Sequence, residues 1–231
     1  MEWFEKAGFD ENPFSADPVF SARSSVGLEK PLADMEYYIS SGSIVFVEGA
    51  EGSGKSVLLQ KLAEKLGGRA VKVDAAAATV DVRSIVSKKT SLFGRLFGKS
   101  PSNLVLLVDN AASLSPDSLE LLKYYYDNNN FSAVVLAGTS LKSSGFSVSV
   151  LDRIGNRVVK IAPLAEEEAL RMVRNRLGGS ELFSEDVVRK IYKMSGKNTK
   201  KFLQLCENAG KNAAAAKSST IGEEHLVSLN K

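Results

Sequence analysis

Sulfur and imidazole are nearly missing: Cys206 and His225 are the only cysteine and the only histidine. One thiol cannot build an internal disulfide framework, which fits a reducing compartment. One imidazole excludes a histidine-rich metal site, and its place near the C-terminal end reads as surface. Long apolar runs are also missing. None approaches the ~20 residues that a membrane-spanning helix needs. The opening "MEWFEKAGFDENPF" lacks the basic-then-apolar order of a secretory leader. A cytoplasmic chain without membrane attachment is expected. Acidic residues are missing between Asp81 and Asp109, while Arg83, Lys88, Lys89, Arg95 and Lys99 fall there.

The net charge is only +3. From Ala165 onward there are 12 basic and 9 acidic residues, against 18 of each before it. The basic surplus is therefore C-terminal and local, on a nearly neutral chain. With 231 residues and 44% hydrophobic content, one large domain or a medium and a small one can be built around a core.

Residues 1–30 carry Pro13 and Pro18 and read as an ordered arm rather than a helix or strand. Strands are predicted at "SIVFVEG" (43–49), "AVKVDA" (70–75), "NLVLLVD" (103–109), "FSAVVLAGT" (131–139) and "NRVVKIAPL" (156–164). Helices are predicted over 29–40, 55–68 and 79–88, and from Pro116, where Ser115 caps and Asp117 suits the positive end. After Pro163 only helical patterns follow, including the alanine run "NAAAAK". Alternating strands and helices predict a parallel sheet covered on both faces, then a small helical domain. The expected boundaries are 1–164 and 165–231.

The strongest chemical signal is "GAEGSGKS", which matches G-x-x-x-x-G-K-[ST] between a predicted strand and helix. Its cofactor-binding residues are Gly49, Ala50, Glu51, Gly52, Ser53, Gly54, Lys55, Ser56 and Val57. Glycines let successive N–H groups turn inward on phosphate oxygens, and the following helix adds its positive end. Lys55 reaches the outer phosphates, and the Ser56 hydroxyl serves Mg²⁺. At the end of the third predicted strand, Asp109 is the second Mg²⁺ candidate; the bland alternative is a strand-ending turn residue.

In order, "GAEGSGKS", "LVLLVDNAASL", "VVLAGTS", "LDRIGNRVVKIAPL" and "SGKNTKKFLQLC" resemble the AAA+ ATPases. Within them the pattern is most similar to the ExeA-like and TniB-like ATPases and to the origin-recognition initiators. The resemblance runs from about Asn12 to the C-terminal end. It implies a P-loop NTPase core with a parallel five-stranded sheet and a small C-terminal helical lid. It implies ATP and Mg²⁺ as ligands and other AAA+ subunits, alike or different, as partners.

Roles follow by position. Asn12, Pro13 and Phe14 fall where the family closes an arm over the adenine. Thr139 takes the place of a γ-phosphate sensor, or is a turn residue. Arg153 falls where a subunit offers an arginine to its neighbour's nucleotide, with Arg157 the alternative. It is otherwise a helix-end or surface-paired residue. Lys200 takes the lid-sensor place where the family keeps arginine; otherwise Lys200 and Lys201 are a solvated face. A lysine gives a point charge where arginine gives a fork.

The family has glutamate after the strand-ending acid, to orient or deprotonate the attacking water. This chain has Asn110. An amide takes no proton near neutral pH, although it can hold a water. Binding should survive and hydrolysis should be slow. Glu48 and Glu51 are nearby acids that could substitute.

The segment "KKTSLFGRLFGKS" (88–100) repeats Leu-Phe-Gly among basic residues. It packs on the fold, binds nucleic acid through cations and phenylalanines, or lies on a membrane surface. Initiator-like relatives tilt the reading to DNA. Initiators also continue into a winged-helix domain, whereas this chain ends after the lid, so specific origin recognition by it alone is not expected. Two function classes remain. One is a nucleotide-dependent assembly switch acting on or near DNA without sequence preference. The other is a degenerate AAA+ scaffold for a protein partner, or a subunit of a secretion-associated ATPase.

Overall fold

The computed structural model describes residues 2–77, 80–87 and 103–230. The Leu-Phe-Gly segment 88–100, and residues 79 and 88 at the ends of one predicted helix, lie outside the described residues.

The chain divides into two compact units. The first comprises Met1–Leu28, Glu51–Val57 and Ala162–Lys231, and the second Glu29–Ala50 and Leu58–Ile161.

In the second unit five parallel strands form a sheet. They are β1 (Ile44–Glu48), β2 (Ala70–Asp74), β3 (Val105–Asp109), β4 (Ala133–Gly138) and β5 (Val158–Lys160), in the order β2-β3-β4-β1-β5. Continuous Val, Ile, Leu and Phe runs suit strands buried on both faces. Phe46, Leu106, Val108, Val134 and Leu136 join one core cluster with Leu119, Leu122, Val150 and Ile154. The alternate residues Val45, Val47, Leu107 and Val135 are wholly buried too. Helices α3 (Glu29–Ser40), α6 (Pro116–Asp127) and α7 (Val148–Ile154) belong to this unit, as does α5, the helical residues 82–87. Helix α6 starts as predicted. Ser115 Oγ accepts from Ser118 N, and Pro116 takes the first turn. The fifth strand is shorter than predicted, three residues only. Helix α4 (Lys55–Leu66) is shared by the two units.

The first unit gathers α1 (Trp3–Lys6), α8 (Glu166–Leu177), α9 (Glu185–Met194) and α10 (Thr199–Ala215) around one core, and also contains α2 (Pro18–Arg23). The arm therefore contains two short helices where none was expected. Pro18 starts α2 rather than interrupting structure. Asp17 caps it, its carboxylate accepting from Val19 N at 2.8 Å and Phe20 N at 3.2 Å. Proline lacks only an N–H that the first turn leaves unused. His225 is buried, not superficial. Its Nδ1 accepts from Gly222 N at 3.0 Å, and its carbonyl accepts from Asn212 Nδ2 at 2.8 Å. Among the described residues no helix is long and apolar enough to cross a membrane.

Candidate nucleotide site

The phosphate loop leaves β1 at Gly49 and enters α4 at Lys55. Gly52 and Gly54 adopt φ of +73° and +103°, which side chains rarely tolerate. Space also demands glycine at 52. A Cβ there would lie 2.5 Å from Asn198 Oδ1 and 2.9 Å from Lys200 Cβ. Asn198 caps α10, its Oδ1 accepting from Lys201 N at 2.9 Å. Its Nδ2 donates to Glu51 O at 2.7 Å, and Lys200 N donates to Gly52 O at 3.1 Å. The predicted lid sensor is thus brought to the loop, but through its backbone; its side chain is exposed. Asn198, which sequence reasoning did not single out, makes the side-chain contact.

The donor set fits a triphosphate with Mg²⁺. Ser53 Oγ is buried in the loop with no hydrogen-bond partner. Lys55 is buried at the start of α4, whose first turn carries no acid to oppose an anion. Ser56 follows, half-buried. Val57 closes the segment that belongs to this unit, whereas Gly49 and Ala50 belong to the sheet unit.

The arm is held from the opposite end of the sequence. Arg176 in α8 donates from one terminal nitrogen to Pro13 O at 2.9 Å and Ser15 O at 3.0 Å. The other donates to Ser21 Oγ at 2.9 Å. Its guanidinium carbon lies 5.5 Å from the centre of the Phe20 ring. Burial pushes the guanidinium down to about 10, which leaves it charged at neutral pH. Asn12 Oδ1 accepts from Phe14 N, closing a turn. Phe14 itself is fully buried, stacked on Trp3 at 6.1 Å and edge-on to Phe183 at 5.3 Å. Its ring belongs to the helical core of this unit.

In the sheet unit Asp109, Asn110, Thr139 and Glu48 stand at strand ends, and Arg153 and Arg157 at the end of α7. Asp109 is buried at the end of β3. Asn110 turns left-handed, φ 52° and ψ 42°, and its N–H donates to Asp109 Oδ1 at 3.0 Å. Asparagine tolerates this conformation better than most residues. Its Nδ2 donates to Asp74 Oδ1, at 2.8 Å, at the end of β2. That hydrogen bond chiefly, and a second from Ala76 N, hold the Asp74 carboxyl below its ordinary range. In the sequence Asp74 ends "AVKVD" as Asp109 ends "VLLVD", with nothing beside it to mark the contact.

Thr139 is exposed just beyond β4. Glu48 Oε2 accepts from Leu141 N at 3.0 Å, and its Oε1 lies 3.7 Å from Lys160 Nζ. Glu51 is exposed. Arg153, in the last turn of α7, pairs with Asp127 Oδ1 at 3.0 Å and is half exposed. Arg157 donates to the carbonyls of Arg153 and Ile154, capping that helix.

Solved structures share this architecture. Cdc6p from Pyrobaculum aerophilum superposes with a TM-score of 0.74 and 17% identity, covering 94% of this chain and 69% of that one. The fold is that of the AAA+ ATPases. ORC1 from Aeropyrum pernix, solved in complex with DNA, gives a TM-score of 0.71 at 16% identity, with 94% and 68% covered. RuvB from Thermotoga maritima, a Holliday junction branch migration motor, gives 0.66 at 16%, with 87% and 66% covered. No protein-family model and no curated protein sequence matches the chain. The AAA+ assignment is therefore one of fold, legible in backbone arrangement at identities where sequence alone is faint.

Proposed function

We propose that this chain binds ATP with Mg²⁺ and acts as a nucleotide-dependent assembly switch on or near DNA, hydrolysing ATP slowly. The carrying observation is the phosphate loop. Positive-φ glycines, an unpartnered buried Ser53 hydroxyl and a buried Lys55 at a helix start make a receptor for anionic oxygens.

In this reading loop amides and Lys55 bind the phosphates. Ser56 would offer its hydroxyl to Mg²⁺, which supplies charge neutralisation at the outer phosphates, and Asp109 is the sheet unit's own candidate ligand. Asn198 and Lys200 contact the loop backbone at Glu51 and Gly52, so loading the loop changes the contacts of α10. Arg153 would serve a neighbouring subunit's nucleotide. Its ion pair with Asp127 is surface-exposed, a kind worth about 0–1 kcal/mol, so exchange for a phosphate is cheap. Asn110 can hold a water but takes no proton. The DNA part of the reading leans on ORC1, solved in complex with DNA, and on RuvB, a Holliday junction branch migration motor.

The test is calorimetry with ATP–Mg²⁺, with light-scattering mass and phosphate release, on the wild type and Lys55→Ala. Heat and a mass increase are expected for the wild type, and neither for Lys55→Ala. Sheared DNA retained more strongly with ATP, with steep salt dependence, is expected on the same reading. Asn110 supports a second reading, a scaffold for a protein partner. ATP-dependent capture of that partner without DNA retention would select it.

A further inference from the structure

We infer that Asn198 is a positioning residue for the triphosphate: from behind the phosphate loop, its amide aims two loop N–H groups at the ligand. The inference rests on the ATP binding proposed above. Every residue it uses belongs to the first unit.

A helix start leaves four backbone N–H groups without partners inside the helix. In α10 two of these find acceptors close by. Lys201 N donates to Asn198 Oδ1 at 2.9 Å, and Lys200 N donates to Gly52 O at 3.1 Å. The other end of the Asn198 amide, Nδ2, donates to Glu51 O at 2.7 Å. One partner can only donate and the other can only accept, so the amide has a single orientation. Two successive loop carbonyls, at 51 and 52, are thereby drawn toward α10.

A planar trans peptide points its N–H opposite to its C=O. Glu51 O shares a peptide with Gly52 N, and Gly52 O shares one with Ser53 N. Drawing both carbonyls to α10 turns both N–H groups to the other side of the loop. Among the described residues neither N–H donates to another backbone group. Gly52 joins the two peptides at φ +73°, the kind of left-handed setting in which successive N–H groups converge on an anion. Ser53 adds its buried, unpartnered hydroxyl, and Lys55 opens α4 two residues on. Donors preset in this way need no ordering when the phosphates arrive, which favours binding.

Asn198 could instead be only a helix cap, and substitution separates the two roles. Asparagine, aspartate and serine cap about equally well, and alanine does not. Aspartate has no N–H to offer Glu51 O, and serine is one bond shorter. Asn198→Asp and Asn198→Ser therefore keep the cap and lose the aim, and serine does so without adding charge. Asn198→Ala loses both. ATP–Mg²⁺ affinity by calorimetry and the denaturant midpoint are measured for the full chain and all three variants. All three are expected to bind ATP about tenfold more weakly than the wild type. Asn198→Asp and Asn198→Ser should unfold later than Asn198→Ala, so affinity and stability part company. Wild-type affinity in Asn198→Ser overturns the inference. So do affinity losses that follow the order of stability, with alanine well below the other two. A wild type giving no heat with ATP instead defeats the binding proposal, and this inference falls with it.

Discussion

Arg176 and Arg153 sit in different units and are treated in opposite ways. Arg176 is buried, with two carbonyls and one hydroxyl accepting from it and a phenyl ring beside it. Arg153 is half exposed on a short helix, with one carboxylate partner that Lys123 approaches as well. The first arginine cannot change partner without unpicking the arm; the second can be recruited at little cost. The same contrast separates the clasp of Asn198 on the phosphate loop from the exposed Asp74–Asn110 pair. Arg176 and Asn198 are fixed by several partners, whereas Arg153, Asp74 and Asn110 remain accessible.

Substitution at Arg176 should break the contrast most. Arg176→Met leaves buried carbonyls at Pro13 and Ser15 without their donor, so a loss of about 2–4 kcal/mol in denaturant unfolding is expected. An unchanged midpoint would mean the arm is not held this way. Next comes Gly210→Ala in α10. A Cβ there would lie 2.5 Å from Trp3 Cζ3, against a ring that cannot bend away. Overpacking of this kind costs about 1–3 kcal/mol, less about 1 kcal/mol of helix propensity gained. Thermal melts should fall, with α1 released first.

Arg153→Ala sharpens the comparison from the other side. Loss of an exposed ion pair should lower stability by less than about 1 kcal/mol. ATP-dependent mass should nonetheless drop; if assembly is untouched, Arg153 is only a surface residue. The smallest effect is expected at Asn110→Ala, read against pH. Asn110 is the main cause of the lowered Asp74 carboxyl. A carboxyl lowered by folding contributes stability above its unfolded value of 3.8, and that contribution is lost as pH falls through the folded value. The melting difference between wild type and variant should therefore be present at neutral pH and shrink on acidification.

What could be read from the chain follows the locality of each signal. The phosphate loop was legible because its glycines answer backbone demands within eight residues. The strands were legible as unbroken apolar runs, and α6 through its Ser115-Pro116 start. Less local features were hidden. Arg176 reads as one more cation in "RMVRNRLGG", and only the arm, some 160 positions away, makes it an internal strut. Asp74 gains meaning from lying beside Asp109, a matter of strand order. Pro18 reads as a breaker by itself and as a helix start only together with its capping Asp17. His225 looked superficial because nothing adjacent announces that Gly222 N will donate to its ring.

Trp3 is the only tryptophan of the chain. It lies buried against Gly210 of α10 and stacked on Phe14 of the arm. The protein therefore carries its own optical gauge. Intrinsic emission should shift to the red whenever the N-terminal arm peels from α10, so nucleotide titrations can be followed without attaching a dye.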